Sequence, residues 1–319
     1  MAASWGLVAV VNKWLLAYVH PLPLNFLVRV IAVAGLLLVT VPLTVFHLWP
    51  YGFGIDAKSF LLIIASALFT WLVGFTAYTY ALRAGRVGIV TPLTCTDPLW
   101  TALFALVLIG SALRLSTVAG MAVTFAGVIL LSRWLGDSAA ATGAPDEMAV
   151  AAGSAPARTP GESGPGKGRE ATAVVGLALL AAAAWGLSPV LVQMAEEAYG
   201  APSAFMMVES QLVGALALGA WIWWRRRPLF IRRLDAPARR RVALLLLASG
   251  ALEVVFSLLF YLVIDELGAV LAMLLAATAP VFGVVAGMLL LKERLSARLV
   301  LAIALTIGGV FIATAARLF

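Results

Sequence analysis

A chain of 319 residues that is 63% apolar and 12% charged is no ordinary soluble domain, which runs about 45–50% apolar and about 25% charged. Its formal net charge of +7 gathers in loops between apolar runs, which points to one face of a bilayer and away from nucleic acid. The single cysteine, Cys95, excludes an internal disulfide.

Ten apolar segments follow one another, at about 4–20, 24–46, 59–82, 87–109, 113–135, 171–195, 202–224, 242–264, 267–291 and 296–317. Helices of such length cross roughly 30 Å of hydrocarbon, and the period-two alternation of a barrel is missing. Only Met1 to Ser4 precede the first run, so no charged leader region is expected. That run ends at the break His20-Pro21-Leu22-Pro23.

Residues 136–170 are rich in Ala, Gly, Pro and Ser, cannot build a core, and are expected to form a disordered linker. Within them Gly161 to Gly168 approximates a phosphate-binding loop. It lacks the Ser or Thr required at its last position and follows no strand, so ATP binding is rejected. The expected organisation is a first five-helix repeat at 1–135, the linker, and a second repeat at 171–319.

The two halves repeat each other. Trp5-Gly6 stands over Trp185-Gly186 at an offset of 180 residues; Thr96, Pro98 and Gly127 stand over Thr278, Pro280 and Gly309 at 182. Five spans per half make the second copy enter from the opposite side. The expected fold is therefore an all-α membrane protein of ten transmembrane helices in two inverted five-helix repeats, an architecture that holds substrate near the midplane. Most arginines, including Arg83, Arg86, Arg133 and the cluster from Arg225 to Arg241, fall on one side, with Lys58, Arg114 and Arg317 on the other. The basic side is expected to be cytoplasmic, with both termini outside.

A charge at the bilayer centre costs about 2.5–3.5 kcal/mol and normally faces the bundle interior or water. Glu253, deep in the eighth segment, is a candidate proton carrier or a neutral, hydrogen-bonded carboxyl. Thr94, Asp97 and Thr101 form a polar stripe beside Pro98, which is expected to bend the fourth helix and free the Thr94 carbonyl. The stripe either lines a cavity or bonds internally. Lys13 is a candidate cation for a substrate anion, or it snorkels. Arg29 is expected to snorkel to the cytoplasmic face, and Glu209, its counterpart at offset 180, to be wetted at the outer face. Trp71, Tyr78, Tyr80, Trp100, Phe256, Phe260 and Tyr261 either line a substrate site or fill the bundle. Gly283 and Gly287 form a close-packing pair, which leaves monomer and homodimer open.

The openings "WGLVAVVNK" and "WGLSPVLVQ", with "YALRAGRVGIVTPLTCTDPLW" and "TAPVFGVVAGMLLLKERLS", together resemble the drug/metabolite transporter superfamily, specifically its ten-helix EamA-type branch. The resemblance implies a multi-pass protein of the cytoplasmic membrane that moves a small metabolite, commonly an amino acid or related compound and commonly outward, by alternating access. Implied partners are that small-molecule substrate, membrane lipid and protons as a coupling ion; no cofactor is implied. Ser111 stands where the second half has Glu293, a departure from the usual pattern. Asn12-Lys13 followed by His20-Pro21 is similar to the sugar-phosphate and triose-phosphate translocator branch, which makes a phosphorylated substrate the alternative. An enzyme is disfavoured, since only His20, His47 and the lone Cys95 are on offer. A channel lacks its ring of polar residues, and a non-transporting scaffold or sensor is the remaining class.

Overall fold

Inside hydrocarbon every backbone N–H and C=O must be paired within its own segment, which favours helix almost everywhere. The computed structural model describes residues 1–15, 17–46, 56–84, 90, 93–142, 167–200, 203–226, 228–230, 235–279, 281–282 and 297–318, and among them there is no β-strand. The helices are α1 (Ala2–Leu15), α2 (Pro21–Val45), α3 (Ala57–Ala67), α4 (Phe75–Ala84), α5 (Asp97–Leu108), α6 (Leu115–Thr142), α7 (Lys167–Tyr199), α8 (Ser203–Trp224), α9 (Ala236–Leu267), α10 (Ala269–Ala276) and α11 (Ala297–Leu318). A π-helical stretch, Leu68–Gly74, joins α3 to α4. Among the described residues five helical stretches are long and apolar enough to cross a membrane: Pro21–Val45, Ala57–Tyr78, Thr172–Tyr199, Phe205–Trp224 and Ala236–Leu267. Asp97–Leu108, Leu115–Leu130 and Val300–Ala313 are shorter apolar helices.

Several expected boundaries move. The first helix stops at Leu15, and Val19 instead pairs with Phe230 in an isolated bridge. The eighth begins at Ala236 because Asp235 caps it, accepting from the Ala238 N–H at 3.0 Å, with Pro237 in the first turn. Residues 136–142 and 167–170, assigned to the linker on composition, continue α6 and open α7. Pro98 does not bend a continuous helix. The helix is broken at Cys95-Thr96, and Pro98 sits in the first turn of a new one, where its missing N–H costs nothing. The central linker at 143–166, Pro280, the Gly283 and Gly287 pair and the turn Lys292 to Arg294 lie outside the described residues.

Packing pairs the repeat offsets with each other. Trp5 of α1 lies on Phe256 of α9, ring centroids 4.8 Å apart, while Trp185 of α7 fills the space that a Cβ on Gly74 would take. Trp5 and Trp185 stand at an offset of 180 and Gly74 and Phe256 at 182, so the contact of α1 with α9 and that of α7 with the π-helical stretch involve residues at matching sequence offsets. Along the α6–α11 crossing Gly120 meets Gly309 and Ala313, and Gly127 meets Thr306 and Ala302. As one index rises the other falls, so these two helices run antiparallel. At the centre Thr124 Oγ1 approaches the Thr306 carbonyl at 3.5 Å, again at an offset of 182. The helix breaks match too. Thr96 Oγ1 donates to the Leu93 carbonyl and Thr278 Oγ1 to the Leu275 carbonyl, each at 2.7 Å. Large apolar side chains such as Leu38, Val107, Leu115, Trp223 and Phe311 point outward, as a lipid solvent permits.

Candidate functional site

Where two helices cross, small residues set how closely the backbones approach. On α2 a Cβ at Gly35 would strike Val254, and on α9 one at Gly250 would strike Ile31. These two glycines draw α2 against α9 and place Arg29 beside Glu253. A third, Gly214 of α8, leaves the groove in which the Trp71 indole lies. On α9, Ser249, Glu253, Ser257 and Tyr261 recur every four residues, and all four are buried. That spacing keeps them along one side of the helix.

The result is a charged network among apolar side chains. Arg29 Nη1 donates to Glu253 Oε1 at 2.5 Å and to Gln211 Oε1 at 2.7 Å. Gln211 Nε2 donates to Ser257 Oγ at 2.8 Å and, more weakly, to Glu253 Oε1 at 3.4 Å. The Trp71 ring covers the guanidinium, its centroid 3.9 Å from Cζ, an arrangement that stabilises a desolvated cation by about 2 kcal/mol. Relative exposure is 3% for Arg29, 0% for Glu253 and 3% for Gln211, so neither charge has water to fall back on. A buried pair of this kind stands only when both partners are present; removing one costs about 3–5 kcal/mol. Glu253 lies midway along the 32 residues of α9, which places the network near the centre of that span.

The sequence candidates fall into two groups. Glu253 and Trp71 belong to the Arg29 network, and one turn along α9 Phe256 stacks on Phe260 with centroids 5.3 Å apart. Asp97, Thr101, Trp100 and Tyr78 gather instead against α7. Gly186 lets α5 approach there, since a Cβ would lie 2.6 Å from that of Trp100 and 2.8 Å from the Asp97 carbonyl. Thr101 Oγ1 donates back to that carbonyl at 3.0 Å. Thr94 is buried, and Asp97 Oδ1 is buried with no hydrogen-bond partner. Tyr78 packs on Trp185 at 5.3 Å. The π-helical stretch links the two groups: Thr70 accepts from Trp185 Nε1 at its carbonyl and donates to Ser188 at 2.6 Å, while the next residue, Trp71, faces Arg29. A π-turn inserted in a helix commonly marks a functional position.

Arg29 and Glu209 correct the sequence reading. Neither reaches water: Arg29 is held in the core by Glu253, and Glu209 is 5% exposed with both carboxylate oxygens lacking a partner. The central member that sequence reasoning missed is Gln211, whose only sequence signal was a polar residue deep in an apolar run. Lys13 belongs to α1, but its side chain lies outside the described residues. Its neighbour Asn12 accepts from Ser249 Oγ at 2.7 Å. Gln193, the residue equivalent to Lys13, accepts from the Ala269 N–H at 2.8 Å and so caps α10. Among the described residues no group of three or more His, Cys, Asp or Glu side chains could hold a metal ion.

Long apolar helices with a charged, hydrogen-bonded network sealed between them define an integral, multi-pass membrane protein. The chain matches the EamA-like transporter family over residues 1–133 and 172–315, and it belongs to that family, within the drug/metabolite transporter superfamily. No curated protein matches it. Among 28 solved chains that do match, one described as "Crystal structure of protein" superposes with a TM-score of 0.70 at 17% identity, covering 99% of this chain and 95% of the other. A likeness at that identity concerns the fold alone.

Proposed function

We propose that this protein is a secondary active transporter that carries a small organic metabolite across the cytoplasmic membrane, outward, by alternating access. Two five-helix halves, residues 1–135 and 171–319, form an inverted repeat and rock about a site between them. The observation that carries this reading is the Arg29–Glu253 pair. Arg29 and Trp71 come from the first half, and Gln211, Glu253 and Ser257 from the second. A buried charged network is costly in a membrane and marks a pathway or relay more often than a structural staple. The matched contacts of Trp5 with Phe256 and Trp185 with Gly74, and the antiparallel α6–α11 crossing, support the inverted repeat. Glu253 and Asp97 are the proton carriers of the scheme, and the aromatics at 71, 78, 100, 256 and 260 line the path.

The test is flux into proteoliposomes under an imposed pH gradient, using a metabolite extract as the substrate pool. The reading expects one or a few metabolites to accumulate with the gradient and not without it. Undiminished gradient-driven flux in a Glu253→Gln, Asp97→Asn double variant removes the proton-carrier assignment. Equal accumulation with and without protein removes transport.

A further inference from the structure

Three polar atoms around the network are buried without a hydrogen-bond partner: Arg29 Nε, Trp71 Nε1 and Glu253 Oε2. Both hydrogen bonds from the guanidinium leave through Nη1, so the pair with Glu253 is single-pointed. An arginine fork matches a carboxylate through two parallel N–H bonds, and here the Nε side of the fork is not engaged. The two orphaned donors, on residues that touch one another, fit a ligand with two acceptor oxygens, and the orphaned Glu253 oxygen is the place for a proton when such a ligand arrives.

We propose that Arg29 is the anchor for a carboxylate on the transported molecule, and that Glu253 is the internal carboxylate which the substrate replaces. This rests on the transporter reading and narrows it to small monocarboxylates. The substrate oxygens take Arg29 Nε and the adjacent fork, with Trp71 Nε1 as a third donor. Gln211 and Ser257 hold the displaced end of Glu253. The aromatic stack of Trp5, Phe256 and Phe260, one turn along α9, favours a flat apolar body.

Charge fixes the stoichiometry. One guanidinium balances one carboxylate, and a second buried carboxylate without a counter-charge is prohibitive. Each substrate anion therefore binds with one proton, which rests on Glu253, so outward movement carries that proton out with it and draws on the metabolite's own gradient; no covalent bond forms or breaks. Titratable and polar groups face Glu253 from several neighbouring elements. From α2 it is Arg29. From α8 it is neutral Gln211, with the buried carboxyl Glu209 two residues away. From α1 it is neutral Asn12, a turn distant on Ser249, with the Lys13 side chain outside the described residues. On α9 itself the nearest titratable group is Tyr261, two turns on, and α7 brings Glu196 toward Tyr261 rather than Glu253.

The test uses benzoate as probe on the full chain in detergent, by calorimetry, beside benzamide, phenyl phosphate and benzylamine. The wild type is expected to bind benzoate with uptake of one proton and to lose about tenfold in affinity per pH unit where that proton must be supplied. Glu253→Gln should bind benzoate with no pH dependence. The Arg29→Gln, Glu253→Gln double variant, which leaves no unpaired charge and whose folding is checked by size exclusion and circular dichroism, should lose binding. Benzoate bound equally well by that folded double variant overturns the proposal. So does preference for benzamide, phenyl phosphate or benzylamine, or absence of benzoate binding to both the wild type and Glu253→Gln. If benzoate fails while gradient-driven flux of another metabolite persists, the carboxylate anchor alone falls. If benzoate binds but nothing is transported, the anion site stands and the transporter reading falls.

Discussion

Gly308 and Gly309 are neighbours on α11, yet alanine should act on them in opposite directions. At Gly308 a Cβ meets nothing within 4 Å among the described residues, so Gly308→Ala gains only the conformational advantage of alanine in a helix, about 0.5–1 kcal/mol. At Gly309 it would lie 2.3 Å from Thr124 Oγ1, 2.4 Å from the Thr124 amide nitrogen and 2.6 Å from the Gly120 carbonyl oxygen. The hydroxyl can rotate away, but the other two atoms are backbone, so α6 and α11 must part to ordinary contact distance along their crossing. Overpacking of this kind costs about 1–3 kcal/mol. Both variants share that helix gain, so they should differ by the overpacking cost alone, about 1–3 kcal/mol, or roughly one to two decades in the folded-to-unfolded ratio. Titration of detergent-solubilised protein with dodecyl sulfate, followed by tryptophan fluorescence, reads that difference. Equal stabilities for the two variants would refute the close α6–α11 crossing.

The same titration should show Arg29→Gln destabilised by about 3–5 kcal/mol, because Glu253 is left as an unpaired buried charge. Adding Glu253→Gln should recover most of the loss, and a double variant worse than the single would contradict the pairing. At the start of α3, Asp56 Oδ1 accepts from the Ser59 N–H at 2.7 Å, and that bond, ahead of the other influences, lowers the Asp56 carboxyl below its ordinary value. A depressed folded value means the cap's contribution is complete above the unfolded pKa of about 3.9 and is lost as pH falls through the lower folded one. Hydrogen exchange at Ser59 should quicken over that range, and in Asp56→Asn the quickening should vanish.

How much was legible followed from what kind of signal each feature leaves. The sequence repeat was readable because Trp5 and Trp185, or Gly127 and Gly309, are distinctive residues at a fixed offset, and their contacts in the fold are to residues at matching offsets. Glu253 stood out because a carboxylate far inside an apolar run has no cheap explanation. Arg29 did not, since a cation five residues from the expected start of a helix can snorkel on paper. Its partners lie 182 and 224 residues away, and nothing in a single sequence ties those positions together. Glu209 was misjudged for the same reason. Hydropathy also hid the true start of α9, where Arg239, Arg240 and Arg241 mask a helical turn that Asp235 and Pro237 announce by capping chemistry. Pro98 was recognised as a disruption but assigned the wrong one, because a bend within a helix and the first turn of a new helix carry the same residue.

The central proposal is a site at mid-membrane that opens to each side in turn. Phe256, against Trp5 and one turn from Glu253, is the position to probe, as Phe256→Cys in a Cys95→Ala background. A membrane-impermeant maleimide would be applied to sealed vesicles from either face. Labelling from both faces, with each side's rate altered in opposite directions by a substrate gradient, is the predicted result. Reaction from one face only, or from neither, would contradict it.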